Sequence, residues 1–282
     1  MTATQLDFTG MPTRLFACTP SRLATWLYCP RRYRFVYVDR PTPPKGAPWA
    51  HNSLGAAVHT ALAAWWALPV DGRTPDRAAA LLREKWIGLG FRDDQQSEAW
   101  RERAAEMVSR YVTQLDPHRE PVGIERTVAM RTDRIALSGR IDRLDRRGDE
   151  LVVVDYKTGR HVLSTDDARG SLALAIYALA AARTLRRSCV AVELHHLPTG
   201  DVLRWEHTDE SLHRQLGRAE DIAMEAAAAE ANCDEDVFPP RPGPMCGWCD
   251  FVAHCPEGRA ACAPHASWAG LAQELTPSVD DG

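Results

Sequence analysis

Asp155 and Lys157 stand two residues apart at the end of the apolar run Leu151–Val154, and together they are the side chains in this sequence best placed to do chemistry. Side chains alternate along a strand, so a carboxylate and an ammonium at this spacing share one face. Burying them there costs free energy unless they pair with each other or hold a metal. A structural ion pair meets that requirement as well as a catalytic one. Asp142 adds a second carboxylate on the preceding segment, and two acids brought side by side repel unless a divalent cation lies between them. Two acids, a lysine and a hairpin describe a hydrolytic metal site. Lys157 is also one of three lysines, with Lys45 and Lys85, in a chain whose positive charge otherwise comes from arginine. That bias fits a role needing a compact ammonium rather than a planar fork.

The elements that must position these groups are legible around them. Ile135, Leu137, Ile141 and Leu144 alternate loosely as a first strand, Arg146–Glu150 is a polar turn containing Gly148, and Leu151–Val154 is short and apolar enough for a buried central strand. Pro121–Met130 reads as the first strand of the sheet, with Glu125 on it. A helix is expected over about 52–68, with Leu54, Val58, Ala61, Leu62 and Trp65 on its apolar face and His59 beside them. Further helices are expected over 166–186 and 211–231, and closing strands over 190–196 and 202–205. Residues 71–115 read as a mostly helical insertion or lobe without a chemical constellation of its own.

Gly139-Arg140-Ile141-Asp142, followed by Val154-Asp155-Tyr156-Lys157-Thr158-Gly159, resembles the PD-(D/E)xK nuclease core of the RecB-like exonucleases. The resemblance implies an α/β fold of the restriction-endonuclease type, a mixed central sheet flanked by helices. It further implies that Asp142, Asp155 and the backbone carbonyl of Tyr156 bind Mg²⁺ or Mn²⁺, and that Lys157 positions or polarises the attacking water. Leu54-Gly55-Ala56-Ala57-Val58-His59 is similar to the family's helix whose histidine joins the metal, so His59 enters the expected ligand set. A glutamate is frequent near position 125; a solvated strand residue is the other reading of Glu125. Relatives carry a glutamine four residues before a tyrosine on the helix after the hairpin. Here the tyrosine is Tyr177, but the glutamine position is Ala173, which puts one substrate contact in doubt.

The cysteines form a second constellation. Cys246-Gly-Trp-Cys249 with Cys255 gives a C-x2-C-x5-C spacing in a Pro/Gly-rich setting, and three crowded thiolates repel unless a metal binds them. The fourth ligand is either local, Cys262 completing a zinc knuckle, or remote, Cys29. Four thiolates suit Zn²⁺ or an iron–sulfur cluster equally well. Cys29-Pro30-Arg31-Arg32-Tyr33 resembles the N-terminal motif of the iron–sulfur subset of RecB-like nucleases, of the AddB and CRISPR-adaptation types. That resemblance implies a [4Fe–4S] cluster on Cys29, Cys246, Cys249 and Cys255, tying both ends of the chain together. Cys18, Cys189 and Cys233 read as ordinary residues. Arg31 and Arg32, interleaved with aromatics in Arg31–Tyr37, are candidate phosphate contacts. The alternative reading of the same stretch buries Tyr33, Phe35 and Tyr37 in the core.

Composition sets bounds rather than a function. At 282 residues, 45% hydrophobic and 26% charged, the chain can bury a substantial core, and no apolar run spans a bilayer. No signal-peptide pattern opens it, so a cytoplasmic location is expected, where disulfides are disfavoured and metal binding is the better use of eight cysteines. A net charge of −4 neither requires nor excludes DNA, because charge can be segregated. The expected organisation is a leader (1–18), a segment carrying the first cluster cysteine (19–51), the nuclease core with its insertion (52–240), a cluster segment (241–262) and a tail (263–282). The implied activity is metal-dependent DNA hydrolysis, as an exonuclease on single strands or DNA ends, in repair or recombination. The alternatives are a CRISPR-adaptation nuclease of the same superfamily and a non-catalytic DNA-binding scaffold. No Gly-rich loop with Gly-Lys-Ser/Thr is present, so ATP-driven unwinding would need a helicase partner.

Overall fold

The computed structural model describes residues 15–274. Its elements are β1 (Phe16–Cys18), α1 (Pro20–Tyr28), α2 (Pro30–Tyr33), α3 (Ala50–Trp66), α4 (Pro75–Glu84), α5 (Asp94–Val112), β2 (Gly123–Arg131), β3 (Ile135–Arg147), β4 (Glu150–Lys157), α6 (Thr165–Gly170), α7 (Leu172–Leu185), β5 (Ala191–His196), β6 (Asp201–Glu206), α8 (Asp209–Asn232) and α9 (Pro256–Ala261). The six strands form one mixed sheet, ordered β1-β3-β4-β5-β6 with β2 paired to β3. The expected α/β architecture is present. Among the described residues no helix is long and apolar enough to cross a membrane.

Alternation along β4 builds the two layers. Leu151 and Val153 face one core with α1, α7 and α8, whereas Val152, Val154 and Tyr156 face a second core with α3, α4 and α5. A strand covered on both faces must read as a continuous apolar run, which Leu151–Val154 does. The segment 71–115 is therefore not a lobe. Its two helices complete the second layer, with Leu81, Leu82, Trp100 and Val108 buried against α3. The expected leader is corrected at its end: Phe16–Cys18 pair in parallel with Ile135–Leu137, while residues 1–14 lie outside the described chain. The helix expected over 166–186 is two helices, broken at the extended residue Ser171, whose hydroxyl caps the second.

β3 is the hub of the sheet, and its two edges are used differently. β2 runs along one edge from Ala136 to Leu144, while β1 (at 135–137) and β4 (at 143–147) share the other. Between them, residues 138–142 of β3 have no ladder partner on that edge. Gly148, at φ +63°, makes the tight β3–β4 turn. The hairpin then opens after Arg143↔Val154, and β4 continues against β5 alone as far as Lys157↔His196.

The tail expected from 263 onward is docked for the part that is described. Leu271 is buried in the α3 layer, the Ser267 carbonyl accepts a hydrogen bond from the Ala50 amide at the start of α3 (3.0 Å), and the His265 ring lies against Trp248. Residues 275–282 lie outside the described chain.

Candidate active site

Where β3 and β4 diverge, Asp142 takes over the missing ladder bond. Its Oδ2 accepts from the backbone N–H of Tyr156 at 2.9 Å, which fixes the carboxylate at the mouth of the opening. At the same place the strands change face. Val128 and Met130 of β2, and Ile135, Leu137 and Ile141 of β3, line the α7-side core, but Ile124 lies in the other core and Leu144 returns to the first out of phase. The flip falls on Glu125 and Asp142, which stand opposite each other in the β2–β3 register. Glu125 has φ +47°, a left-handed conformation that a glutamate adopts only when its surroundings hold it there. Residues directly opposite in an antiparallel pair share a face, and at this kink both acids turn toward a common cavity.

That cavity, about 640 Å³, is lined by His59, Glu125, Gly139, Asp142 and Tyr177 among others. His59 reaches it from the edge of α3, with Nδ1 3.3 Å from Asp142 Oδ1 and its ring edge-on to Tyr156. Among the described residues, His59, Glu125 and Asp142 alone bring three ligand atoms within 4.8 Å of one another. Metal–oxygen distances of about 2.0–2.6 Å make that spacing suitable for a shared cation. The electrostatics agree. Burial pushes the Glu125 carboxyl above its ordinary range, and the charge of Asp142 adds to it. Burial opposes the His59 imidazolium, but the hydrogen bond to Asp142 and the charges of Asp142, Asp155 and Glu125 outweigh it and raise its pKa. An acid-rich site that holds onto protons is one a divalent cation would relieve.

Asp155 and Lys157 share a face as expected, and the ammonium lies 2.6 Å from Asp155 Oδ2. Burial raises the Asp155 pKa against the pull of Lys157, with Asp142 adding to the rise. The tightest ligand trio differs from the expected one: Glu125 belongs to it, while Asp155 stands beside it, paired with Lys157. Tyr156 points its side chain the other way, into the second core, where Arg143 donates to its hydroxyl at 3.3 Å. Tyr177 lies across β3. A Cβ on Gly139 would sit 2.4 Å from its Cε1, so the ring can lie there only because position 139 is glycine. Its hydroxyl is pushed up to about 12 by burial and then by Asp155 and Asp142. Ala173, one turn earlier on α7, presents no polar group.

The cysteines gather about a separate cavity of about 220 Å³, lined by Cys29, Cys246, Cys249 and Cys255; Cys262 is not among its lining residues and its sulfur instead contacts the Ala263 carbonyl. Cys29 is brought in by the α1–α2 junction, where Pro30 starts the second helix. Backbone amides point at two of the sulfurs, Arg241 at Cys29 (3.5 Å) and Gly258 at Cys255 (3.4 Å). Burial raises the thiol pKa values of Cys249 and Cys255, and Cys29 adds to both. No three of these sulfurs come within 4.8 Å of one another. A single tetrahedral zinc, with Zn–S of about 2.3 Å, would need them roughly 3.8 Å apart.

The two candidate phosphate contacts are engaged within the fold. Arg31 pairs with Glu235 at 2.6 Å and donates to the Phe238 carbonyl, Arg32 pairs with Asp250 at 3.3 Å, and both line the cysteine cavity. Of the three aromatics that the alternative reading buries, Tyr33 and Phe35 are buried and Tyr37 is half-buried against the core.

A solved structure named "Putative exonuclease", from Eubacterium rectale, superposes with a TM-score of 0.53 over 90% of this chain and 94% of its own, at 13% identity. At that identity the likeness is one of fold. No curated protein sequence matches the chain. A family model does match it, over residues 17–256, a span that takes in the kinked acids, the Asp155–Lys157 pair and all four cavity cysteines: the chain belongs to the PD-(D/E)XK nuclease superfamily.

Proposed function

We propose that this protein is a metal-dependent deoxyribonuclease that hydrolyses phosphodiester bonds in single-stranded DNA or at DNA ends, acting as an exonuclease in repair or recombination. The observation that carries the reading is the convergence of His59, Glu125 and Asp142 within 4.8 Å, next to the Asp155–Lys157 pair, at the point where two strands part. Mg²⁺ or Mn²⁺ held by these groups would lower the pKa of water and offset charge building on the phosphorane. The chain's own residues do the rest. Asp142, anchored by the Tyr156 amide, and His59, steadied by the Tyr156 ring, hold ligand atoms in place before any ion arrives. Asp155 holds the Lys157 ammonium beside the ligand trio, from where it would orient the attacking water and shield the phosphate from three nearby carboxylates. Tyr177, protonated at neutral pH, offers a hydroxyl donor across from Gly139.

The cysteine cavity is read as the seat of a [4Fe–4S] cluster on Cys29, Cys246, Cys249 and Cys255. Four thiols around a cavity of about 220 Å³, spaced too widely for one zinc, suit a polynuclear group. Its role would be to clamp Cys29 of the N-terminal segment to the C-terminal segment. The test of the nuclease reading is cleavage of end-labelled single- and double-stranded DNA by anaerobically purified protein, with Mn²⁺ and with EDTA. Metal-dependent shortening from the ends is expected, and Asp142→Asn should abolish it. Absence of cleavage on both substrates would refute the reading.

A further inference from the structure

A second cavity, of about 520 Å³, opens on the other side of Gly55 from the metal cavity. Gly55 lines both, and a Cβ there would meet Thr158 Oγ1 at 3.3 Å, so the two spaces meet across the first turns of α3. Its volume falls within the range of ligand sites, roughly 300–1,000 Å³. Its lining joins Lys157 and Arg160, at the end of β4, to His51, Asn52 and Trp248. Trp248 belongs to the cysteine segment, between Cys246 and Cys249. Its ring is half-buried, braced by His265 at 4.3 Å and by Trp49 at 5.3 Å, and it meets His51 edge-on at 5.7 Å. Among the described residues, no hydrogen-bond partner is engaged by the His51 ring nitrogens or the Asn52 side-chain amide. Burial, opposed by Asp250, lowers the His51 pKa, so its imidazole is neutral and offers one donor and one acceptor.

An aromatic plane, two uncommitted polar edges and a cationic rim formed by Lys157 and Arg160 are the parts from which unpaired bases are recognised: stacking on the plane, hydrogen bonding at the edge, phosphate at the rim. We propose that this cavity is a nucleobase subsite, in which one unstacked base beside the scissile phosphate lies against Trp248 and its edge meets His51 and Asn52. The proposal rests on the nuclease reading for its substrate. It also gives the cysteine segment a task toward DNA, since that segment holds the stacking ring. A base held in this way must leave its helical stack, which favours single strands and frayed ends over intact duplex.

The test is a scan of single-stranded oligonucleotides, fluorescein-labelled, in which one abasic site is moved along the sequence. Binding is read by anisotropy in EDTA, and cleavage separately in Mn²⁺. In the wild type, one abasic position should weaken binding about 10-fold, as expected for loss of one base–aromatic stack. Trp248→Ala should bind the intact oligonucleotide about 10-fold more weakly and show no further loss at that position. Trp248→Phe should restore most of the difference, and Asn52→Ala should change which base is preferred there. An abasic penalty that persists unchanged in Trp248→Ala, or no sensitive position at all, overturns the proposal. If Trp248→Ala does not fold by circular dichroism, His51→Ala takes its place, and an undiminished penalty in it overturns the proposal equally. Base-dependent binding without cleavage would sink the nuclease reading and leave the subsite standing; cleavage without base dependence would do the reverse.

Discussion

Replacing Glu125 by glutamine should make the metal-free protein more stable while weakening its hold on metal. In the absence of a cation, the Glu125 and Asp142 carboxylates sit within 4.8 Å of each other. At an effective dielectric of about 20, two unit charges at that distance repel by about 3 kcal/mol. Glutamine keeps the shape and the left-handed backbone but removes that repulsion. The substitution also breaks the Glu125–Arg140 ion pair at 2.9 Å, but Arg140 is 69% exposed, and such pairs contribute at most about 1 kcal/mol. The net expectation is about 2 kcal/mol of added stability in EDTA, a rise in Tm of about 3–4 °C. With metal the order should reverse. At a metal concentration of about 100 Kd the wild type gains about 2.7 kcal/mol, whereas the variant, short of one charged ligand, should gain little. Scanning calorimetry in EDTA and in Mn²⁺ reads both effects. A lower Tm for Glu125→Gln in EDTA, or a metal-induced shift equal to that of the wild type, would refute the electrostatic account of this kink.

Lys157→Ala should reduce metal-dependent cleavage by about 10²–10³-fold, as loss of a preorganised charge at a reacting phosphate does, and Asp155→Ala should reduce it at least as far, both with unchanged circular dichroism; full activity in either would remove it from the mechanism. Gly139→Ala should destabilise the protein by about 1–3 kcal/mol in urea denaturation, because its Cβ meets Tyr177 at 2.4 Å, and Tyr177→Ala in the same chain should recover most of the loss. Glu193 is held down to about 2 from an ordinary 4.5: burial opposes its charge, but His195 and Arg147 more than offset it. Its folded pKa lies below its unfolded one, so its contribution is complete above about pH 4.5 and is lost as pH falls toward 2, roughly 3 kcal/mol in all. Glu193→Gln should therefore narrow the gap between urea stabilities at pH 7 and pH 3. Cys29→Ser should bleach a brown, anaerobically purified protein, and Cys262→Ser should leave the colour intact; the opposite pattern, in a colourless zinc protein, would establish the local knuckle.

The hairpin was legible because every local signal agreed: Gly148 for the turn, an apolar run for a strand covered on both faces, and chemistry confined to the residues after it. The loose alternation of Ile135, Leu137, Ile141 and Leu144 carried more than it disclosed. Its lapse between Ile141 and Leu144 is the face change at Asp142, and only the register against β2 shows Glu125 changing face opposite it. Three residues are too few for periodicity, so Phe16–Cys18 could not be told from a leader. The ion pairs of Arg31 and Arg32 were hidden for a related reason. Their partners, Glu235 and Asp250, lie about 200 residues away in sequence, and composition cannot pair charges across that distance. The grouping of Cys29 with Cys246, Cys249 and Cys255 came from the resemblance, since no local pattern links the two ends of the chain.

That separation has a consequence for how the protein is made. The Arg241 amide that points at the Cys29 sulfur follows it by 212 residues, which at about 5–20 residues per second is roughly 10–40 s of synthesis. Throughout that interval the emerging chain carries Cys29 without the segment that walls it in, and β1 must likewise wait for Ile135–Leu137 before it has a strand to pair with. The two halves of the cysteine cavity therefore meet only after the segment carrying Cys246, Cys249 and Cys255 has been made. A ribosome stalled before residue 241 leaves a product in which β3 and β4 can pair while the wall of the cysteine cavity opposite Cys29 is missing.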